Sequence, residues 1–229
     1  KTRVDTLSQN SGSSPQTYVH VNNGSARDGN ATTNLGGVNE AGGATGENSI
    51  AIGPIAKATA TNTVAIGLNA TAANNEASAV GREAKALGDG ATVFGTRSRA
   101  NMSQAIALGH NVSASGIEAT AIGSDATGNA SIAIGGDDIS RVGGTAANKV
   151  LFNEIDVSQG GKYQRTTSSG AGSIAIGTAT LASGGVATAV GTNATASADT
   201  ASAFGVKATA SGAGATALGA NASVSGSNA

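Results

Sequence analysis

A five-residue pattern recurs along most of this chain of 229 residues. Each copy runs small, variable, small, bulky, glycine, as in residues 49–53, Ser-Ile-Ala-Ile-Gly. The copies end in eleven glycines: Gly53, Gly67, Gly81, Gly95, Gly109, Gly123, Gly135, Gly177, Gly191, Gly205 and Gly219. Fourteen residues, the usual step, are too few for a pair of helices but fit two short strands joined by turns. The repeat therefore predicts two-stranded coils that stack as parallel ladders into an extended rod.

A second pattern follows each glycine, because small residues recur three and five positions later, such as Ala56 and Ala58 after Gly53. We expect these alanines to line the inside of the coil, where the gap between its two strands is thin. Glycine at the strand end permits a tight bend or a positive φ that other residues resist. A low-complexity Gly/Ala linker would not keep a bulky residue before all eleven glycines, so we disfavour it.

The residue before each glycine is always bulky and apolar. This column consists of Ile52, Ile66, Val80, Phe94, Leu108, Ile122, Ile134, Ile176, Val190, Phe204 and Leu218. The residue one step back is alanine in every copy except the one with Val93, so neither face of this alternating strand is polar. The second strand of a coil covers one face, and another polypeptide must cover the other. The sequence leaves open which column faces inward.

Burial of this column would contribute at most about 15–30 kcal/mol per chain. We therefore expect it to be hidden from solvent. Further copies of the same chain, arranged around an axis along the rod, are the economical way to hide it. A monomeric roll with a thick interior is the alternative.

The composition narrows the function classes. Charged residues make up 12% of the chain and the net charge is −1, which argues against nucleic acid as a partner. The absence of cysteine excludes disulfides, thiolate nucleophiles and cysteine zinc sites. No apolar run approaches the length that spans a bilayer, so we expect no direct membrane contact by this chain.

No group of residues predicts catalysis. We expect His20 and His110 to be surface or packing residues. Asp137 and Asp138 could bind calcium through oxygen atoms, but further acidic ligands at metal spacing are missing, so a solvated loop pair is favoured. The chain is therefore predicted to be no enzyme and to hold no cofactor or metal.

One interval interrupts the repeats. Gly135 and Gly177 are three repeat lengths apart, which leaves about 28 additional residues. The chain is accordingly divided into a leading segment with an irregular first coil (1–46), repeats (47–136), an insert loop (137–170) and repeats (171–229). A candidate contact loop comprises Asp137, Asp138, Arg141, Lys149, Glu154, Lys162 and Arg165. The apolar residues Leu151, Phe152, Ile155 and Val157 favour a structural role instead, in which they pin the loop to the rod or to a neighbouring chain.

These repeats resemble the heads of YadA-type trimeric autotransporter adhesins. Residues 48–53, Asn-Ser-Ile-Ala-Ile-Gly, are the fullest copy, and residues 18–22 resemble the segment that leads into such heads. Residues 135–177 resemble a head insert motif, including Tyr-Gln-Arg-Thr at 163–166. The resemblance covers residues 17–229 and implies three left-handed parallel β-rolls side by side, a homotrimer presented on a stalk outside a Gram-negative outer membrane. This chain departs from the family pattern where alanine replaces the first serine and Thr or Ser replaces the second residue.

The resemblance implies a non-enzymatic adhesin head that attaches to host cells, extracellular matrix or other bacteria. Its expected partners are two further copies of itself and host molecules of unknown identity. A passive spacer or a self-associating surface filament is the alternative. An ice-binding roll would need paired threonine columns on one face, whereas Thr at the second pentad position alternates with Ser, Ile and Val, so we disfavour it.

Overall fold

The computed structural model describes residues 16–17, 19–22, 36–37, 42–136 and 165–229. The chain divides into two compact units, unit one (Lys1–Ala105) and unit two (Ile106–Ala229). The described residues form short strands and turns, with no helix among them.

The described residues of unit one form eleven strands: β1 (Gln16–Thr17), β2 (Val19–Asn22), β3 (Gly36–Gly37), β4 (Ser49–Ile52), β5 (Lys57–Ala58), β6 (Val64–Ile66), β7 (Thr71–Ala72), β8 (Ser78–Val80), β9 (Lys85–Ala86), β10 (Thr92–Phe94) and β11 (Arg99–Ala100). Unit two contains the remaining described strands: β12 (Ile106–Leu108), β13 (Ser113–Ala114), β14 (Thr120–Ile122), β15 (Asp125–Ala126), β16 (Ile132–Ile134), β17 (Thr167–Ser168), β18 (Ile174–Ile176), β19 (Leu181–Ala182), β20 (Thr188–Val190), β21 (Thr195–Ala196), β22 (Ser202–Phe204), β23 (Thr209–Ala210), β24 (Thr216–Leu218) and β25 (Ser223–Val224).

From β4 onward, each coil contributes one first strand, before its glycine, and one second strand, after it. First strands pair in parallel with first strands of neighbouring coils, and second strands with second strands. The register is constant, because Ala51 lies opposite Ala65 and Ala65 opposite Ala79. Each position of the repeat therefore forms a column. Each unit is a β-solenoid of coils of about 14 residues, as the repeat predicts.

The interior of the coils is filled by small side chains. The alanines two residues before the repeat glycines are buried, for example Ala65, and Val93 is the largest member of this column. The alanines five residues after most of these glycines, such as Ala72, are buried as well. Buried hydroxyls start the first strands in several coils and bond within the preceding turn. Ser49 Oγ donates to the Gly46 carbonyl at 2.6 Å, and Thr63 Oγ1 donates to the Ala60 carbonyl at 2.7 Å. These bonds satisfy buried polar groups that would otherwise be costly.

The repeat glycines occupy conformations that side chains resist. Nine of the eleven have φ between +113° and +141°, and Gly123 has φ +65°. At Gly81 a Cβ would lie 2.6 Å from the carbonyl carbon of Gly95 in the next coil. Glycine is therefore required here both for its backbone conformation and for the close stacking of coils.

The first described coil has a covered edge. Strand β2 pairs antiparallel with β4, placing Val19 opposite Ile52 and Asn22 opposite Ser49. Pairing of this kind removes the free backbone groups of an edge strand, which would otherwise invite association with other chains.

The long interval between Gly135 and Gly177 does not change the register. Strand β16 pairs with β18, and β17 pairs with both β15 and β19. Of the interval assigned to the insert loop, residues 165–170 belong to the ladder and residues 137–164 lie outside the described residues. The 28 additional residues are thus inserted into one turn, between Gly136 and Arg165, and the solenoid on either side keeps its spacing.

Candidate interaction surfaces

The bulky column lies on the outer face of the first strands. In a single chain six of its members are more than one third exposed, from 37% at Ile134 to 78% at Leu218. The alternating alanines point inward and fill the lumen instead. The column that the sequence predicts to be hidden is therefore not hidden within one chain, and its burial by another polypeptide stays a prediction.

A second column runs beside it on the same outer face, three residues before each glycine. Its members alternate between aliphatic residues, such as Ile50, Val64 and Ile174, and small hydroxyl residues such as Ser78. All four are partly exposed. Together the two columns make the outer face of the first strands largely apolar, which is unusual for a surface open to water.

The outer face of the second strands has the opposite character. In unit one its outward positions are Lys57, Thr71, Lys85 and Arg99, each beside a fully buried alanine. In unit two hydroxyl residues predominate at this position: Ser113, Thr167, Thr195, Thr209 and Ser223. Most coils thus have one apolar and one polar outer face, with Leu181 an apolar exception on the polar side.

Arg165 is the one residue of the candidate contact loop that the structure describes; the other six lie outside the described residues. It pairs with Asp125, its Nη1 donating to Oδ1 at 2.7 Å and to Oδ2 at 2.9 Å. Asp125 Oδ1 also accepts from the Ser113 backbone N–H at 3.1 Å. Because both charged side chains are mostly buried, this pair fastens the end of the insertion to the preceding coil.

The coil that precedes the insertion has a shortened turn before Asp125. One residue separates Gly123 from Asp125, whereas three residues separate Gly109 from Ser113, which occupies the same ladder position. The shortened turn explains the single twelve-residue step in the repeat. It brings the Asp125 carboxylate to the place where the chain re-enters the solenoid at Arg165.

We expect Arg165→Gln to lower the stability of the solenoid by about 1 kcal/mol, because it removes a partly buried charge-assisted contact. For a chain of this length that corresponds to a melting temperature lower by about 2–4 °C. The control is Arg97→Gln, which breaks an exposed pair with Glu83 at 3.2 Å and should change the melting temperature much less. Equal effects of the two substitutions would contradict the anchoring role of Arg165.

Comparison with protein families matches the YadA head domain repeat (2 copies) over residues 44–70, 72–98, 100–126, 168–194, 182–208, 196–222 and 210–229. These matches cover more than half of the chain. The chain belongs to the YadA head family. The stretch between the matches, 127–167, includes the insertion. Comparison with curated proteins finds no match.

YadA heads are surface-exposed parts of autotransporter adhesins and are generally non-enzymatic. Membership therefore indicates an adhesin-type function and an extracellular location. In the described residues no helix is long and apolar enough to cross a membrane.

Most charges of this YadA head are sorted by position in the coil: acids lie in the turn before the first strand, and cations lie in the turn after it and on the second strand. Sequence reasoning missed this pattern. The described acids five or six residues before a repeat glycine are Glu47, Glu76, Asp89, Glu118 and Asp199. The described cations lie one to four residues after a repeat glycine, when residues 137–164 are left out of the count. They are Lys57, Arg82, Lys85, Arg97, Arg99, Arg165 and Lys207. The two other described acids, Glu83 and Asp125, lie on the cation side and pair with arginines. Counting charges by their phase in the repeat would have found this pattern.

The two histidines lie in different environments. His20 is 2% exposed, and its ring packs so closely on Gly42 that a Cβ there would clash with it. His110 is exposed. Across residues 42–136 and 165–229 no three His, Cys, Asp or Glu side chains are grouped to hold a metal ion. Asp137 and Asp138 lie outside the described residues.

Proposed function

We propose that this chain is the head of a homotrimeric, non-enzymatic surface adhesin that attaches to host cells, extracellular matrix or other bacteria. The observation that carries the proposal is the apolar outer face of the first strands, in a chain of the YadA head family. Such a face needs a partner, and the polar face remains for attachment.

Further copies of the same chain fit this apolar face well. The coils of every copy repeat at the same spacing of about 4.8 Å. When copies lie parallel, each coil can therefore pack against the corresponding coil of its neighbour. A rotation axis along the stack then brings the same columns of each copy together and closes the assembly. Three copies, each a left-handed roll, is the arrangement that the family resemblance implies.

Attachment by the polar face gains from repetition. A contact that is weak at one coil recurs along the stack and again in each of three chains. Linking many weak contacts in this way raises the overall avidity without any single strong site. A position outside the Gram-negative outer membrane, on a stalk, would present this face to other surfaces.

Deletion of residues 137–164 tests whether the repeats or the insertion carry attachment. The deletion joins Gly136 to Arg165 and places Gly135 and Gly177 14 residues apart, so we expect the solenoid to fold and assemble as before. Attachment of the purified head to cells and matrix should persist, because the repeated face is intact. The measurements are binding to immobilised matrix, cell attachment, and mass in solution.

An inert protein of similar size is the control for that experiment. Attachment of the intact head no better than this control would contradict the adhesin proposal and favour a passive spacer. Attachment lost with the deletion, while mass and melting stay unchanged, would assign contact to the insertion instead of the repeats.

A further inference from the structure

Three cations of unit one form a single file on the outer face of the second strands. In the parallel register Lys57 lies opposite Thr71, Thr71 opposite Lys85, and Lys85 opposite Arg99. Neighbouring strands are about 4.8 Å apart, so Lys85 and Arg99 are adjacent like charges and Lys57 lies about 10 Å from Lys85. We call Lys57, Lys85 and Arg99 the basic stripe.

Among the described residues of unit one, no acid pairs with the basic stripe. The ion pairs shown in unit one join Arg82 and Arg97 to Glu83, and no residue of the stripe belongs to them. The other described acids of unit one lie at the opposite turn: Glu47, Glu76 and Asp89. Like charges directly opposite each other on a ladder destabilise it, so the fold gains nothing from this arrangement.

From this geometry we propose that the basic stripe binds a linear sulfated polysaccharide. The inference rests on the proposed function, because the second-strand face is the one left outward when the apolar face meets partner chains. A straight file of cations matches a chain that carries ionised sulfates at sugar intervals. Lysine and arginine form charge-assisted hydrogen bonds with such oxyanions, and these are about twice as strong as neutral ones.

Nucleic acid fits the same face less well. Binding of single strands relies on aromatic side chains on which bases stack. The residues two positions after Lys57, Lys85 and Arg99 are Thr59, Leu87 and Asn101, and none of them is aromatic. The aromatic residue in the described part of unit one is Phe94, which lies on the other sheet. The face therefore offers charge without stacking.

The test measures binding of the assembled head to immobilised heparin at several salt concentrations. Three cations on a single-stranded polyanion predict a loss of affinity of about 20-fold between about 50 and 200 mM salt. The combined variant Lys57→Gln, Lys85→Gln, Arg99→Gln should bind at least about tenfold more weakly at low salt and lose most of this salt dependence. Its melting temperature should equal or exceed that of the native head, because like charges are removed.

A matched control removes three charges from the opposite turn, with Glu47→Gln, Glu76→Gln and Asp89→Asn. It should bind heparin as well as or better than the native head. Desulfated heparin should bind weakly to all forms. Unchanged heparin binding by the stripe variant would overturn the inference, as would equal binding of desulfated heparin, or displacement by duplex DNA at lower concentration than by heparin.

Cell attachment separates this inference from the proposed function. Enzymatic removal of sulfated polysaccharide from the target cells should reduce attachment of the native head more than that of the stripe variant. Attachment that persists in a head that does not bind heparin would overturn the inference and leave the adhesin proposal standing. A native head that neither binds heparin nor attaches to cells would contradict the inference and the adhesin proposal together.

Discussion

Gly191→Ala should destabilise the solenoid by at least about 2 kcal/mol. Gly191 has φ +131°, where a residue with a Cβ is strained by about 1–3 kcal/mol. The added Cβ would also clash with the carbonyl oxygen of Gly205 and lie 2.7 Å from its carbonyl carbon. That backbone is fixed in the next coil and cannot move aside without disturbing the ladder, so overpacking adds about 1–3 kcal/mol. Thermal unfolding should show a melting temperature lower by at least roughly 4–8 °C.

Gly219→Ala is the matched control for this prediction. Gly219 holds the same repeat position with φ +113°, but no heavy atom lies within 4 Å of the Cβ it would gain. It should therefore show only the conformational strain. A second control, Gly90→Asn, tests a glycine at φ +65° in the other turn, where other coils of unit one place Asn48 and Asn62 at similar φ. The close-stacking argument is wrong if Gly191→Ala lowers the melting temperature no more than Gly219→Ala and Gly90→Asn do.

Much of the coil could be predicted from sequence, because the spacing of glycines and alanines admits one register. A shift of one residue would turn Ala65 outward and Ile66 inward in every rung, and the repeat forbids a shift in one coil alone. The sequence did not decide which of those two columns faces inward, since both are apolar. The thinness of the coil decides it: a lumen lined by methyl groups of both strands accepts Ala65 and, at most, the volume of Val93.

The charge pattern and the anchoring pair escaped prediction for different reasons. A net charge of −1 conceals two opposite groups that the coil separates in space, and only the phase of each charge relative to its glycine reveals them. The sequence places Arg165 in the candidate contact loop and gives no reason to single out Asp125. The twelve-residue step from Gly123 to Gly135 marks the shortened turn in the sequence. Only the structure shows that this turn places Asp125 next to Arg165.

Ile66→Asp should abolish assembly while leaving the single chain folded. Ile66 lies on the outer apolar face and is partly exposed in one chain, so a carboxylate there can reach water and costs the coil little. In a trimer the same substitution removes about 1.5–3 kcal/mol of apolar burial per chain. It also places three like charges close to one axis, where burial of an unpaired charge is expensive.

Thr71→Asp introduces the same charge in the same coil, but on the polar outer face of the second strand. Mass in solution should fall to that of one chain for Ile66→Asp and remain that of the assembly for Thr71→Asp, with far-ultraviolet circular dichroism unchanged in both. If the two variants keep the same mass as the native head, the apolar columns are not the assembly surface. The avidity on which attachment depends would then need another origin, because three copies of the polar face act together only when the apolar faces hold them in register.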